Sequence, residues 1–320
     1  MNIYILENNY LRVTFLDIGA TICEIIKKSN NKNILLSYNS LDNYLQNEYF
    51  LGAMIGRNAG RTSPPQYQNF KDEHVNLSIN EKKINHLHGG KDGLHKKTWI
   101  VDQKNHEKAH LYLTDENIEY DKATFCIEYS LNKNIFSIKI LGVSEVPTIM
   151  NLTSHMYFNL SNESTIKDHI LYINSNKLQD INNDFIPSSN FVNLNSETYK
   201  YLDFSRGKKI SESLNQSDRL SKLCLGGIDL AYKIKHISNL PSVIITDNLG
   251  ENKLTIYSNQ ESVVVYTLNK INNVYNENNK EAIKKNSGIT FEMQKLPNYI
   301  NNSKVYLEDR YFSMTNYIVE

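Results

Sequence analysis

The 320-residue chain sets 35 Lys and Arg against 35 Asp and Glu, a formal net charge of zero, and 40% of its residues are hydrophobic. That much apolar material fills one large core or two ordinary ones and excludes a fibrous or peptide-sized product. Balanced charge supplies no basic excess for a phosphate backbone or an anionic bilayer, so neither nucleic acid nor membrane is an expected partner.

In chain order, Met1-Asn2-Ile3-Tyr4 runs into Glu7 and Asn8 with no basic start and no long apolar stretch, so neither a signal peptide nor an anchor is expected. The three cysteines, Cys23, Cys126 and Cys224, are odd in number and widely spaced, which fits neither a disulfide framework nor a zinc site and points to a reducing, cytoplasmic setting. Residues 40–45, which Ser40 can cap, and 210–223, with Ile210, Leu214, Leu220 and Leu223 loosely spaced, are the two candidate helices; both read as surface excursions. Runs such as 125–129, 135–140 and 254–257 alternate with period two and are rich in β-branched and aromatic residues, with turn clusters at 132–134 and 247–250. Residues 272–286, poor in apolar side chains, read as a long exposed loop. The expectation is an all-β protein, one large antiparallel β-sandwich domain over residues 1–320.

No Gly-rich phosphate loop and no Gly-x-Ser-x-Gly turn is present. Four other segments place polar residues in apolar or Gly-rich surroundings. In Gly56-Arg57-Asn58-Ala59-Gly60-Arg61, an Arg leaving an apolar strand either offers its fork to ligand oxygens or snorkels at a rim. In His86-Leu87-His88-Gly89-Gly90, two His at i and i+2 share a side of a regular strand. They are metal ligands if more ligands converge, ligand-facing, or structural. His155, between apolar and aromatic neighbours, is either a proton-transfer group or a satisfied core histidine. Glu292, in Ile289-Thr290-Phe291-Glu292-Met293-Gln294, shares its side with Thr290 and Gln294; that side faces solvent or a polar cleft, and in a cleft the carboxyl pKa rises.

Taken in order, these segments resemble the aldose 1-epimerase (galactose mutarotase) family from about residue 51 to 298. The match rests on the Gly-Arg-x-Ala-x-Arg segment ending at Arg61, on Asn85-His86-Leu87-His88-Gly89-Gly90 with Lys97 and Trp99, and on Asn151 to Leu160 around His155. Gly226-Gly227-Ile228-Asp229 and Phe291-Glu292-Met293-Gln294 with Pro297 complete it. The resemblance implies a mutarotase-like β-sandwich with a sugar cleft, no cofactor and no metal. It implies anomer interconversion of a free aldohexose such as D-galactose or D-glucose, by a monomer or homodimer. Carried over, Glu292 is the general base, His155 the general acid and His88 the second active-site His; Arg61, Asp229, His88 and Gln294 bind substrate. A disaccharide or hexose-phosphate epimerase and a non-catalytic sugar binder are the alternatives. Two departures stand out: Gly60 where members commonly carry Asn, and Gly93-Leu94-His95-Lys96 where many have Gly-Phe-Asp-Lys.

Overall fold

The computed structural model describes residues 1–236, 239–271, 283–302 and 306–320. Nearly all of its regular structure is antiparallel strand. Nine strands form the largest sheet, and its central strand, Glu308–Val319, pairs with the hairpin of Ala123–Asn132 and Ile135–Thr148. The expected runs at 125–129, 135–140 and 254–257 all lie inside strands of this sheet. A six-stranded sheet orders Tyr157–Phe158, Ile289–Gln294, Ser262–Tyr266, Asp229–Lys233, Lys177–Ile181 and Pro187–Asn193. A third sheet of four strands uses residues 3 to 33.

Alternation explains how the two larger sheets meet. Phe125, Ile127 and Tyr129 from the large sheet and Ile289, Phe291 and Met293 from the smaller one enter one apolar cluster that runs from Leu6 to Val319. Phe158 joins them, its ring 5.9 Å from Phe291 and 6.0 Å from Tyr317. Burial of these rings on the inner face leaves the opposite face of the six-stranded sheet free to carry polar side chains.

Both candidate helices contribute to the core, contrary to their reading as surface excursions. Helix Asn43–Gln46 buries Tyr44. The 210–223 segment splits into a 3-10 turn, Ile210–Ser213, and helix Arg219–Leu223, and buries Ile210 and Leu220 completely. The Asp218 carboxylate caps the second piece by accepting from the Leu220 and Ser221 amides at 2.8 and 3.3 Å. Most of the loop expected at 272–286 lies outside the described residues; of those described, Lys284 and Lys285 are exposed as expected and Ile283 and Asn286 are buried. No helix among the described residues is long and apolar enough to cross a membrane.

Candidate active site

Two adjacent rows of side chains on the free face of the six-stranded sheet make the floor of a cleft. Register aligns Glu292 with Val264 and Val264 with Ala231, and the next row aligns Tyr157, Thr290, Tyr266 and Asp229. Every residue of strand Ile289–Gln294 is buried, so the polar side carrying Glu292 faces a polar cleft and not solvent. The cleft encloses a cavity of about 190 Å³, well beyond the space of a single water.

Loops supply the walls. His155 falls between the short strands Thr153–Ser154 and Tyr157–Phe158, and its backbone is held at both ends: its N–H donates to Ala53 O at 2.9 Å and its carbonyl accepts from Gly52 at 3.1 Å. His88 N–H donates to Gly60 O, beside the pairing of Arg61–Thr62 with His86–Leu87. Gly89 follows at φ +82°, where an added Cβ would lie 1.8 Å from Gly56 O; only glycine lets these two loops touch. Asn151 joins three site segments. Its backbone bonds Arg57 and Ala59, and its side-chain oxygen accepts from Lys295 N just beyond the Glu292 strand.

At the floor, His155 Nε2 lies 3.5 Å from Glu292 Oε1. Ligating atoms of His88, His155 and Glu292 all fall within 4.8 Å of one another. The Gly60 N–H donates to His88 Nδ1 at 3.2 Å, which leaves the ring proton on Nε2, so this histidine serves the cleft as a hydrogen-bond donor and is the wrong tautomer for a metal ligand. Burial pushes His155 down to about 4 and His88 well below the usual imidazole value, and the His155 ring further disfavours charge on His88. Burial, with Asp229 adding repulsion, pushes Glu292 up to about 8. Phe50 packs its ring 5.0, 4.9 and 5.7 Å from those of His88, His95 and His155, so one aromatic wall dries three imidazoles.

His86 and His88 do not share a side. The strand ends at Leu87 and His88 turns to φ +55°, which breaks the alternation. His86 points into the core between Ser78 O at 2.8 Å and the Tyr120 hydroxyl at 2.6 Å, a satisfied structural histidine. Arg57 neither faces ligand nor snorkels. It is fully buried, bonded to Ile149 O, Thr148 Oγ1 and Asp121 O, and 3.6 Å from Asp115. Arg61 does line the cleft, but Glu81 takes its fork: Nε and an η nitrogen donate to the two carboxylate oxygens at 2.8 to 3.0 Å.

Gln294 is placed differently from the substrate-binding expectation. It does not line the cleft; it is fully buried beneath Gly60, whose missing Cβ would lie 3.1 Å from its Nε2. Gly60 itself sits at φ +79°, a left-handed position that glycine and asparagine both tolerate. Leu94 is a core residue and His95 backs Phe50, so that second departure acts behind the wall. Glu81, Phe185 and Lys270 line the cleft without any local signal in the sequence.

Residues 2–308 match the aldose 1-epimerase family profile. The chain belongs to the aldose 1-epimerase family. It is 29% identical to an aldose 1-epimerase of Haemophilus influenzae, across 92% of this chain and 86% of that protein. It is 25% identical to human galactose mutarotase (93% and 86%) and 24% identical to a maltose epimerase of Levilactobacillus brevis (94% and 88%). Among solved structures, the galactose 1-epimerase of Lactobacillus acidophilus superposes with a TM-score of 0.85 at 27% identity, covering 99% of this chain and 93% of that one. A homologue from C. elegans shares the fold with a TM-score of 0.89 at 20% identity, covering 100% and 98%. Membership in this family makes the chain an isomerase, and its fold is the large antiparallel mutarotase-like sandwich.

Proposed function

We propose that this epimerase interconverts the α and β anomers of a free, neutral aldohexose, D-galactose or D-glucose, by acid–base ring opening. The observation that carries the reading is the buried carboxyl–imidazole pair, Glu292 and His155, 3.5 Å apart on the cleft floor with pKa values driven in opposite directions. Ring opening takes a proton from the anomeric hydroxyl and delivers one to the ring oxygen. Both oxygens are bonded to the same carbon, so an acid and a base only a few ångströms apart serve both.

Glu292 as carboxylate takes the hydroxyl proton while His155 as imidazolium gives one to the ring oxygen. The pair then stands as neutral acid and neutral imidazole, the state its pKa values favour near neutral pH. After the aldehyde turns about its bond to the next carbon, the two groups exchange roles and close the ring on the other face. His88 donates to the oxygens at the anomeric centre, and Arg61 and Asp229 hold ring hydroxyls so that only the reacting end moves. Gln294 acts from behind, supporting the Gly60 wall.

Charge favours a neutral substrate over a hexose phosphate. Arg61 is matched by Glu81, and Lys270 by Asp229, so the described lining offers no unshared cation pair for a phosphate. Three unpaired cysteines support a reducing compartment, the cytoplasm. Polarimetry of freshly dissolved α-D-galactose and α-D-glucose tests the proposal. Protein should speed the approach to equilibrium, and Glu292→Gln or His155→Asn should each lower kcat by about 100-fold or more. No acceleration with either sugar would sink it.

A further inference from the structure

Lys270 follows strand Ser262–Tyr266 and is fixed from three directions. Its backbone N–H donates to the Tyr266 hydroxyl at 3.0 Å, its Nζ donates to Asp229 Oδ2 at 2.7 Å, and the same nitrogen lies 3.5 Å from the centroid of the Phe185 ring. Phe185 holds this place at φ +71°, a conformation rare for a bulky side chain, in a turn where Asn182 Oδ1 accepts from the Asp184 and Ile186 amides. Arg61 reaches the same Asp229 oxygen only at 3.7 Å, because its fork is spent on Glu81. Lys270 is thus the nearer of the two cations beside Asp229 and the one that makes a hydrogen bond to it.

We propose that Lys270 is a sugar-positioning residue, which holds the Asp229 carboxylate ionised and aimed as the acceptor for ring hydroxyls. The proposal rests on the cleft being an aldose site. Its physical basis is that Asp229 is largely buried, and a buried carboxyl left to itself takes up a proton. A carboxylic acid keeps one hydrogen to donate and gives up much of its accepting power, so a site built to receive ring hydroxyls needs the anion. Burial raises the Asp229 pKa, but Lys270 first and Arg61 second outweigh it and hold the group below its ordinary value; His155 adds a smaller pull in the same direction. Glu292, Tyr157, Tyr266 and Cys224 also feel the Asp229 charge, and none of them is a cation near neutral pH.

Two variants test this, Lys270→Met, which keeps most of the stem against Phe185, and Lys270→Arg, which keeps the charge. For Lys270→Met the expected result is a KM for D-galactose raised about tenfold with kcat within a few-fold, the size of one charge-assisted hydrogen bond. Its acid limb in kcat/KM should also move up toward neutrality, as Asp229 takes a proton the wild type refuses. Lys270→Arg should restore both. A Lys270→Met enzyme with wild-type KM and an unmoved acid limb overturns the proposal, as does a Lys270→Arg enzyme as impaired as the Met variant, which would make the contact mere packing. Calorimetric titration with D-galactose at pH 5 and pH 7.5 reads the same acid-dependent loss of affinity without turnover. A wild type that binds the sugar but does not turn it over would therefore fail the catalytic reading and leave the Lys270 proposal to stand or fall on its own.

Discussion

Glu292 and His155 are displaced from their ordinary pKa values by one cause, burial, which acts with opposite sign on an acid and a base. Near neutral pH the pair holds a single proton, and it keeps that number from about 4, where His155 would add a second, to about 8, where Glu292 would lose the only one. The proposed chemistry needs one proton on the pair, whichever member carries it. We therefore expect kcat/KM to hold a plateau between limbs near those values, and a profile that rises steadily through pH 9 would contradict this assignment. Glu292, His155, His88 and Arg61 drew notice because each places a polar group in an apolar or Gly-rich run, a pattern that also fits a structural role, and the resemblance to the family selected the functional reading and added Asp229. Glu81, Lys270 and Phe185 went unnoticed, because each reaches the cleft from a loop whose local composition is ordinary, and only contacts such as Lys270 with Asp229, 41 residues apart, give them a role.

At the scale of elements, the site depends on how the 56–61 loop is tied to the strands beside it. Arg57 does this from the inside, with three acceptors on residues 121, 148 and 149, its guanidinium over the rings of Tyr120 and Phe125 at 5.2 and 5.7 Å, and Asp115 as its counter-ion. Removing it strands a 2%-exposed carboxylate, so Arg57→Met should cost about 3–5 kcal/mol of stability, read as a fall in the urea midpoint. Adding Asp115→Leu should recover part of the loss, since no charge is then left unpaired. A single variant within 1 kcal/mol of wild type would show that the pair carries no such burden. The sequence marked this Arg as noteworthy and left its direction open, because a strand-end Arg beside Gly looks the same whether it turns outward or in. The period-two runs were read reliably for the opposite reason: alternation is a property of the strand itself. Where a residue left the strand regime, as His88 does at φ +55°, the same rule put His86 on the wrong side.

Over the whole molecule, the buried Glu292 carboxyl works against folding. The unfolded chain releases the Glu292 proton near 4.5 and the folded protein keeps it up to about 8, so across that window the native state binds more protons and stability falls as pH rises. Glu292→Gln cannot ionise. Its melting temperature should exceed that of the wild type by a margin that grows from pH 5 to about pH 8 and then levels, and a margin independent of pH would show that the carboxyl is not desolvated in the fold. His155, whose pKa is depressed, acts in the other direction: its contribution is present above the ordinary imidazole value and is lost as pH falls toward 4. The sequence by itself determined the strand class and which residues share a side of each regular strand, because these depend on local alternation, and through the family resemblance it singled out Glu292 and His155 as the proposed acid–base pair. What each side faces was decided only by the tertiary structure. The polar side of Ile289–Gln294 became a cleft floor because loops from residues 48–61, 81–88, 185–187 and 270 close over it. Gln294, on that same side, was lost to the cleft because Gly60 lies on top of it, a contact between positions 234 residues apart that no local pattern encodes.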